Sequence, residues 1–161
     1  PQEPAETGLD SVRFLMSANV GEALKPLSKV ASGGELARIM LAMKQVLAQQ
    51  DGVPTLIFDE VDAGVSGRAA QKVALKLWAV SKGRQVLCVT HLPQIAAMAD
   101  AEFTVEKRVE HERTYTSVLH LDDSGRRQEL ARLIGGSMIT ETTLAGAAEL
   151  LRLADEAKRG I

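Results

Sequence analysis

Thr55-Leu56-Ile57-Phe58-Asp59-Glu60 is an apolar run that ends abruptly in two adjacent carboxylates. Four β-favouring or apolar residues after Pro54 suit a strand covered on both faces, as in parallel α/β sheets, where ligands gather at the strands' carboxyl ends. Asp59 and Glu60 stand at such an end. One carboxylate there can hold a hydrated magnesium ion and the next can take a proton from an attacking water, which are separate tasks in phosphoryl transfer. With Ser32-Gly33-Gly34-Glu35 upstream and Thr90-His91 downstream, the ordered set points to nucleotide hydrolysis.

Working outward, Val12 to Met16 reads as a strand before a turn at Asn19-Val20-Gly21, and a loop through Pro26 leads to Ser32. From Glu35, the apolar residues Leu36, Ile39, Met40, Met43, Val46 and Leu47 recur at three- and four-residue steps, predicting an amphipathic helix that ends near Asp51-Gly52. Beyond the strand at 54 to 58 the pattern predicts a helix from about 68 to 81, capped by Gly83, and a second apolar strand at Val86 to Val89. Strand, helix, strand implies a right-handed parallel crossover, which brings His91 beside Asp59 and Glu60. Pro93 opens a short helix to about Ala99. Phe103 to Val109 and Thr114 to Leu121 predict a hairpin on the sheet edge, around the turn Glu110-His111-Glu112-Arg113. Helices follow at about 126 to 134 and 141 to 158, separated by Gly135-Gly136. The fold class expected is α/β, with residues 1–11 a flexible N-terminal segment and 12–161 one lobe.

Composition narrows the class. A chain of 161 residues that is 45% hydrophobic can bury roughly 70% of its unfolded surface in one core. Net charge −2 with three Phe, one Tyr and one Trp gives neither a broad basic field nor many platforms for stacking bases. The single cysteine, Cys88, lies in an apolar run and packs as a small hydrophobe, which fits a reducing cytoplasm. No apolar stretch approaches the roughly 18 residues needed to span a bilayer. A soluble intracellular fragment is expected.

Each motif also has a purely structural explanation. Ser32-x-x-Glu35 before an apolar helix is a capping box, although two glycines inside it would let a ligand approach the helix's positive end. Asp59-Glu60 can simply begin a solvated turn, and His91 can be a helix-start histidine, but converging at one sheet edge they make a site in which the imidazole can donate to a terminal phosphate. Ser66 in Asp62-Ala63-Gly64-Val65-Ser66-Gly67 serves equally as a plain N-cap. A serine-hydrolase elbow is excluded, because Gly64-Val65-Ser66-Gly67-Arg68 is not Gly-x-Ser-x-Gly. His111 and His120 lack metal-like partners, and Lys107-Arg108 and Arg126-Arg127 read as solvated faces. What the chain lacks is a Gly-x-x-x-x-Gly-Lys-Ser/Thr loop to wrap phosphates. A base and a metal carboxylate without a cradle make half a site.

Taken together, Ser32 to Glu35, Thr55 to Glu60, Asp62 to Gly67 and Thr90-His91 resemble, in order and spacing, the signature motif, Walker B strand, D-loop and switch histidine of ABC-type ATPases. Transporter subunits of that family read Asp-Glu-Pro-Thr where this chain has Asp59-Glu60-Val61-Asp62, which resembles the SMC-like branch acting on chromosomes; Glu35 also matches that branch. Val30 to Arg38, Asp59 to Gly67, Thr90 to Ala96 and Gln128 to Gly136 narrow the likeness to a bacterial DNA-repair group within it, over nearly all of residues 12 to 155.

The resemblance implies the C-terminal lobe of a P-loop NTPase-like, ABC/SMC-type head, with a mostly parallel sheet, an edge hairpin and C-terminal helices. It implies ATP and Mg2+ as cofactors: Asp59 holds the metal through water, Glu60 is the general base and His91 contacts the γ-phosphate. Ser32, Gly33, Gly34 and Glu35 would meet the nucleotide of an opposing head, with Asp62 and Ser66 in the loop linking the sites. The implied partners are the N-terminal half of the same head, which carries the phosphate loop, a second head in an ATP-dependent homodimer, and DNA through the full-length protein, at the bacterial nucleoid. The family acts in double-strand-break repair and recombination. The chain alone is expected to be inactive. Two other classes compete: a non-catalytic dimerisation or docking module, and a transporter-type nucleotide-binding half, against which Val61-Asp62 speaks.

Overall fold

The computed structural model describes residues 8, 10, 12–17, 20–29, 32–47, 50, 52–110 and 113–160. In chain order these form β1 Leu15–Met16, β2 Lys25–Pro26, a 3-10 turn Leu27–Lys29, α1 Gly33–Val46, β3 Thr55–Phe58, α2 Gly67–Ser81, β4 Gln85–Cys88, α3 Pro93–Ala96, β5 Phe103–Glu110, β6 Arg113–His120, α4 Asp123–Gly135 and α5 Glu141–Arg159. Most of the expected segment 1–11 lies outside the described residues, as do Asn19, Asp51 and His111.

The parallel pair expected from the two apolar runs is present: β3 and β4 run in register from Thr55 beside Gln85 to Phe58 beside Cys88. Helix α2 crosses between them, its apolar stripe Ala70, Val73, Ala74, Leu77 and Val80 buried at helical spacing. Val73, Ala74, Leu77 and Val80 of that stripe pack with Leu56 and Phe58 of β3, Leu41 of α1, Val61 and Ile95 into the main core. Gly83 takes φ +86° just past the helix, where a Cβ would be strained. A second core is built mainly from alanines, Ala96 and Ala97 with Leu130, Ala131, Ala147 and Ala154, which let α4 and α5 close against α3.

Four expectations change. Strand β3 is covered on one face only by the described residues: Ile57 is 71% exposed, and Leu87 and Val89 share its side of the ribbon. A run of apolar residues predicts that both faces need cover, not that this chain supplies it. The hairpin β5–β6 pairs with itself alone over eight residue pairs and does not join the edge of β3–β4. The strand expected at Val12–Met16 is confined to Leu15–Met16, and it pairs with Lys25–Pro26, which the sequence pattern assigns to a loop. Helix α4 begins at Asp123 rather than 126, because the Asp122 carboxylate accepts from the Gly125 N–H at 2.7 Å and so caps a turn that Gly125 alone would disfavour.

Arg126 is also not a solvated residue. Its guanidinium turns inward, donating to the Ala99 carbonyl at 2.8 Å and lying 3.4 Å from the buried Glu102 carboxylate. Lys158 of α5 reaches the same corner, 2.7 Å from Asp100. These contacts fix the chain's direction as it leaves α3 for the hairpin. No helix among the described residues is long and apolar enough to cross a membrane.

Candidate functional site

The loop leaving β3 is anchored by what it buries. Phe58 and Val61 are both buried in the main core and Asp62 is 4% exposed, so the chain between Phe58 and Val61 turns sharply and leaves Asp59 and Glu60 outside. Glu60 pays for this turn with φ +57°, the one non-glycine left-handed residue among those described, at roughly 1–2 kcal/mol. Backbone hydrogen bonds from Ala63 N–H to Glu60 O (3.0 Å) and from Val65 N–H to Asp62 O (3.2 Å) hold the turn, and Asp59 Oδ1 accepts from the Glu60 N–H at 2.9 Å. Strain kept in a non-glycine residue is characteristic of functional sites.

Helix α1 meets this loop with its first turn. Ser32 and Glu35 form the expected reciprocal box: Ser32 Oγ accepts from Glu35 N–H at 3.3 Å and Glu35 Oε2 from Ser32 N–H at 2.8 Å. The backbone N–H of Ser32, then its hydroxyl, hold the Glu35 carboxyl below the usual carboxylate range. The glycines also serve the packing of helix on loop. A Cβ on Gly34 would fall 2.8 Å from Ala63 Cβ and 2.9 Å from the carbonyls of Ala63 and Glu60, and one on Gly33 would collide with the Glu60 carboxylate. Gly34 is thus required by the approach of helix to loop, before any ligand is considered. One turn on, Arg38 donates from Nη1 to the carbonyls of Ala63 (2.7 Å) and Val61 (3.2 Å). Arg38 carries no role in the sequence pattern, though its i+4 spacing from Gly34 and i−3 spacing from Leu41 put it on the packed face.

On the other side, Asp62 ties the loop to the end of β4. Its Oδ2 accepts from Thr90 Oγ1 at 2.7 Å and from His91 N–H at 2.9 Å, and His91 Nδ1 lies 2.9 Å away. Burial raises the Asp62 carboxyl, but the hydrogen bonds from Thr90 and His91, with the His91 charge, outweigh it and leave it below its ordinary 3.8. Neighbouring Cys88 is pushed up to about 12, first by burial and then by the charges of Asp62 and Asp59. It is a packed thiol, not a nucleophile.

Ser32, Gly33, Gly34, Asp59, Glu60, Asp62 and His91 therefore line one cleft of about 600 Å3, joined by Ala63, Gly64, Val89 and Thr90. Glu35 and Ser66 lie outside its lining. Ser66 occupies the N-cap position of α2, but its side chain makes no capping hydrogen bond. The lining holds three carboxylates and neither Lys nor Arg. Such a cleft repels phosphate until a cation and outside donors complete it. No cluster of three metal-ligating side chains occurs among the described residues. The exposed Asp59, which engages the Glu60 N–H through Oδ1, fits a strongly hydrated Mg2+ that takes one carboxylate and draws its other ligands from water and phosphate.

No protein-family model matches the chain. It is 51% identical over 158 residues to the DNA repair protein RecN of Bacillus subtilis, covering 98% of this chain and 27% of that protein. RecN of Treponema pallidum is 50% identical over 159 residues, covering 99% and 28%, and RecN of Vibrio cholerae 51% identical over 144 residues, covering 89% and 26%. The chain thus spans about a quarter of these relatives. A solved structure from work on ATP-driven dimerization and DNA-stimulated activation of SMC ATPases superposes with a TM-score of 0.52 at 24% identity, covering 73% of this chain and 70% of that one. That likeness concerns the fold alone, a mixture of helices and open sheets. With half its residues identical to these proteins along nearly its whole length, the chain belongs to the RecN family of bacterial DNA repair proteins and corresponds to their C-terminal part.

Proposed function

We propose that the chain is the C-terminal half of an SMC-like ATPase head, which binds and hydrolyses ATP at a head–head interface in DNA double-strand-break repair and recombination. One observation carries this reading: a general-base candidate, a metal carboxylate and a histidine meet a helix N-terminus in a single cleft that lacks any cationic side chain. Asp59 would hold a hydrated Mg2+, which supplies charge neutralisation on the terminal phosphates. Glu60, exposed and held in its turn, would take the proton of the attacking water, and His91 would contact the γ-phosphate. The α1 N-terminus, with Ser32, Gly33, Gly34 and Glu35, would serve a nucleotide on the opposing head.

The missing cradle comes, on this reading, from the N-terminal half of the same head. The uncovered side of β3–β4, with Ile57, Leu87 and Val89, supports a further sheet layer or strand docking there. DNA enters through the full-length protein. The test is Glu60→Gln in the reunited head: ATP binding persists while hydrolysis slows by about 10²–10⁴-fold, the worth of a positioned base. Near-normal turnover sinks the base assignment.

A second reading, a non-catalytic docking module, draws on the hairpin, where Phe103, Val105, Val109 and Val118 share one exposed face. Repair that survives Glu60→Gln and His91→Ala in cells, but fails when this face is altered, would favour it.

A further inference from the structure

The contacts of Asp62 specify more than the position of a loop. Its carboxylate is buried, and one oxygen, Oδ2, gathers Thr90 Oγ1 at 2.7 Å, His91 N–H at 2.9 Å and His91 Nδ1 at 2.9 Å. Thr90 Oγ1 in turn accepts from the Leu92 N–H at 3.1 Å, so its own hydrogen is free for Asp62. An ionised carboxylate oxygen offers only lone pairs. A bare Nδ1 would set lone pair against lone pair at 2.9 Å, whereas a proton on Nδ1 makes the contact attractive. The ring is 72% exposed and lines the cleft, and its Nε2 lies on the side away from Asp62.

We infer that Asp62 is the positioning residue for His91, holding the imidazole proton on Nδ1 and the ring at the cleft wall with Nε2 presented to the bound substrate. This rests on the ATPase reading only for the identity of that substrate. The tautomer has a chemical consequence. In the neutral ring Nε2 is an acceptor, suited to the proton of a water or hydroxyl, and it donates to a phosphate oxygen only when the ring also carries a second proton. Two further residues fix the chain that carries the directing carboxylate: Val61 anchors it in the core, and Arg38 clamps the carbonyls on either side, at Val61 and Ala63.

The experiment is a long-range 1H–15N correlation spectrum of the 15N-labelled chain at a pH where the ring is neutral, with His91 assigned by its loss in His91→Gln; His111 and His120 are the only other imidazoles. The expected result is an Nδ1–H tautomer for His91 in the wild type and in Thr90→Val, and the Nε2–H form preferred by free imidazole in Asp62→Ala, where no oxygen is left to accept from Nδ1. A wild-type ring with its proton on Nε2 overturns the proposal, and so does an Asp62→Ala variant, folded by its amide spectrum, whose tautomer is unchanged. Should Asp62→Ala fail to fold, the wild-type spectrum decides alone. In the reunited head, Asp62→Ala should lower kcat on the order of 10- to 100-fold with KM for ATP little altered, the usual worth of a carboxylate that orients an imidazole, and Asp62→Glu should restore part of it. Loss confined to KM would overturn the positioning role. The spectrum needs no ATP, so an Nδ1–H ring in an inactive reunited head would defeat the ATPase reading and leave the inference standing.

Discussion

Arg38 Nη1 donates to the Ala63 carbonyl across 2.7 Å and to Val61 O across 3.2 Å, so one guanidinium on α1 fixes the loop that carries Glu60. Hydrogen bonds to a charged donor are worth about 1.5–3 kcal/mol each way they are lost. Arg38→Ala should lower unfolding stability by about 1–3 kcal/mol in urea titration, and Arg38→Lys should recover part of it, since one ammonium nitrogen can also donate to two carbonyls but is more strongly hydrated and loses more on leaving water. A change within about 0.5 kcal/mol would show that the clamp is idle.

Two glycines give a paired test of the helix–loop contact. Gly34→Ala puts a methyl 2.8–2.9 Å from Ala63 and from the Glu60 carbonyl, atoms that cannot swing away; overpacking of this kind costs about 1–3 kcal/mol. Gly52→Ala meets nothing within 4 Å and should be neutral or stabilising by up to about 1 kcal/mol. Equal effects in thermal melts would mean that Gly34 does not mediate a close approach.

How much of this was legible beforehand divides by sequence distance. The capping box of Ser32 and Glu35, the stripe of α2 and the carboxylates ending β3 are local patterns, and each stands where its period or cap chemistry places it. The meeting of Asp59, Glu60 and His91 followed from strand–helix–strand order. Arg38 with Ala63 and Asp62 with His91 join residues 25 and 29 positions apart, and no local period encodes them. The glycines of the signature were legible as special, but their part in loop packing was not, because loop packing and ligand approach demand the same missing Cβ. The open side of β3–β4 escaped notice because an apolar run reports a need for cover and says nothing of its source.

The titrations of Cys88 and Asp62 act at opposite ends of the pH scale. Cys88 rises on folding from its ordinary 9.0 to about 12, so its contribution is complete below pH 9 and fades as pH climbs toward 12. Alkylation by iodoacetamide near pH 8 should run on the order of 10³-fold slower in the folded than in the unfolded chain, following the thiolate fraction. Asp62 is lowered from 3.8, so its contribution is present above pH 3.8 and is lost as acidification passes its folded value. Asp62→Asn should therefore flatten the acid limb of the stability profile. Rapid native alkylation, or an acid limb unchanged in Asp62→Asn, would contradict these assignments.

Ile57 tests the docking face. Being 71% exposed, it can become Asp at a cost to the chain's own stability within about 0.5 kcal/mol. If the N-terminal half of the head covers this face, the same change should weaken its association at least about 10-fold, or about 1.4 kcal/mol. Unaltered association by titration calorimetry would place that half elsewhere.

The central claim is that this chain holds half of an ATPase site, and it is tested most directly by ATP hydrolysis of the chain alone and of the chain mixed with the N-terminal segment that carries the phosphate loop. The account predicts no turnover by the chain, turnover in the mixture, and its loss when Glu60→Gln replaces the wild type. Hydrolysis by the chain alone, or none in a mixture shown to bind ATP and to dimerise, would contradict it.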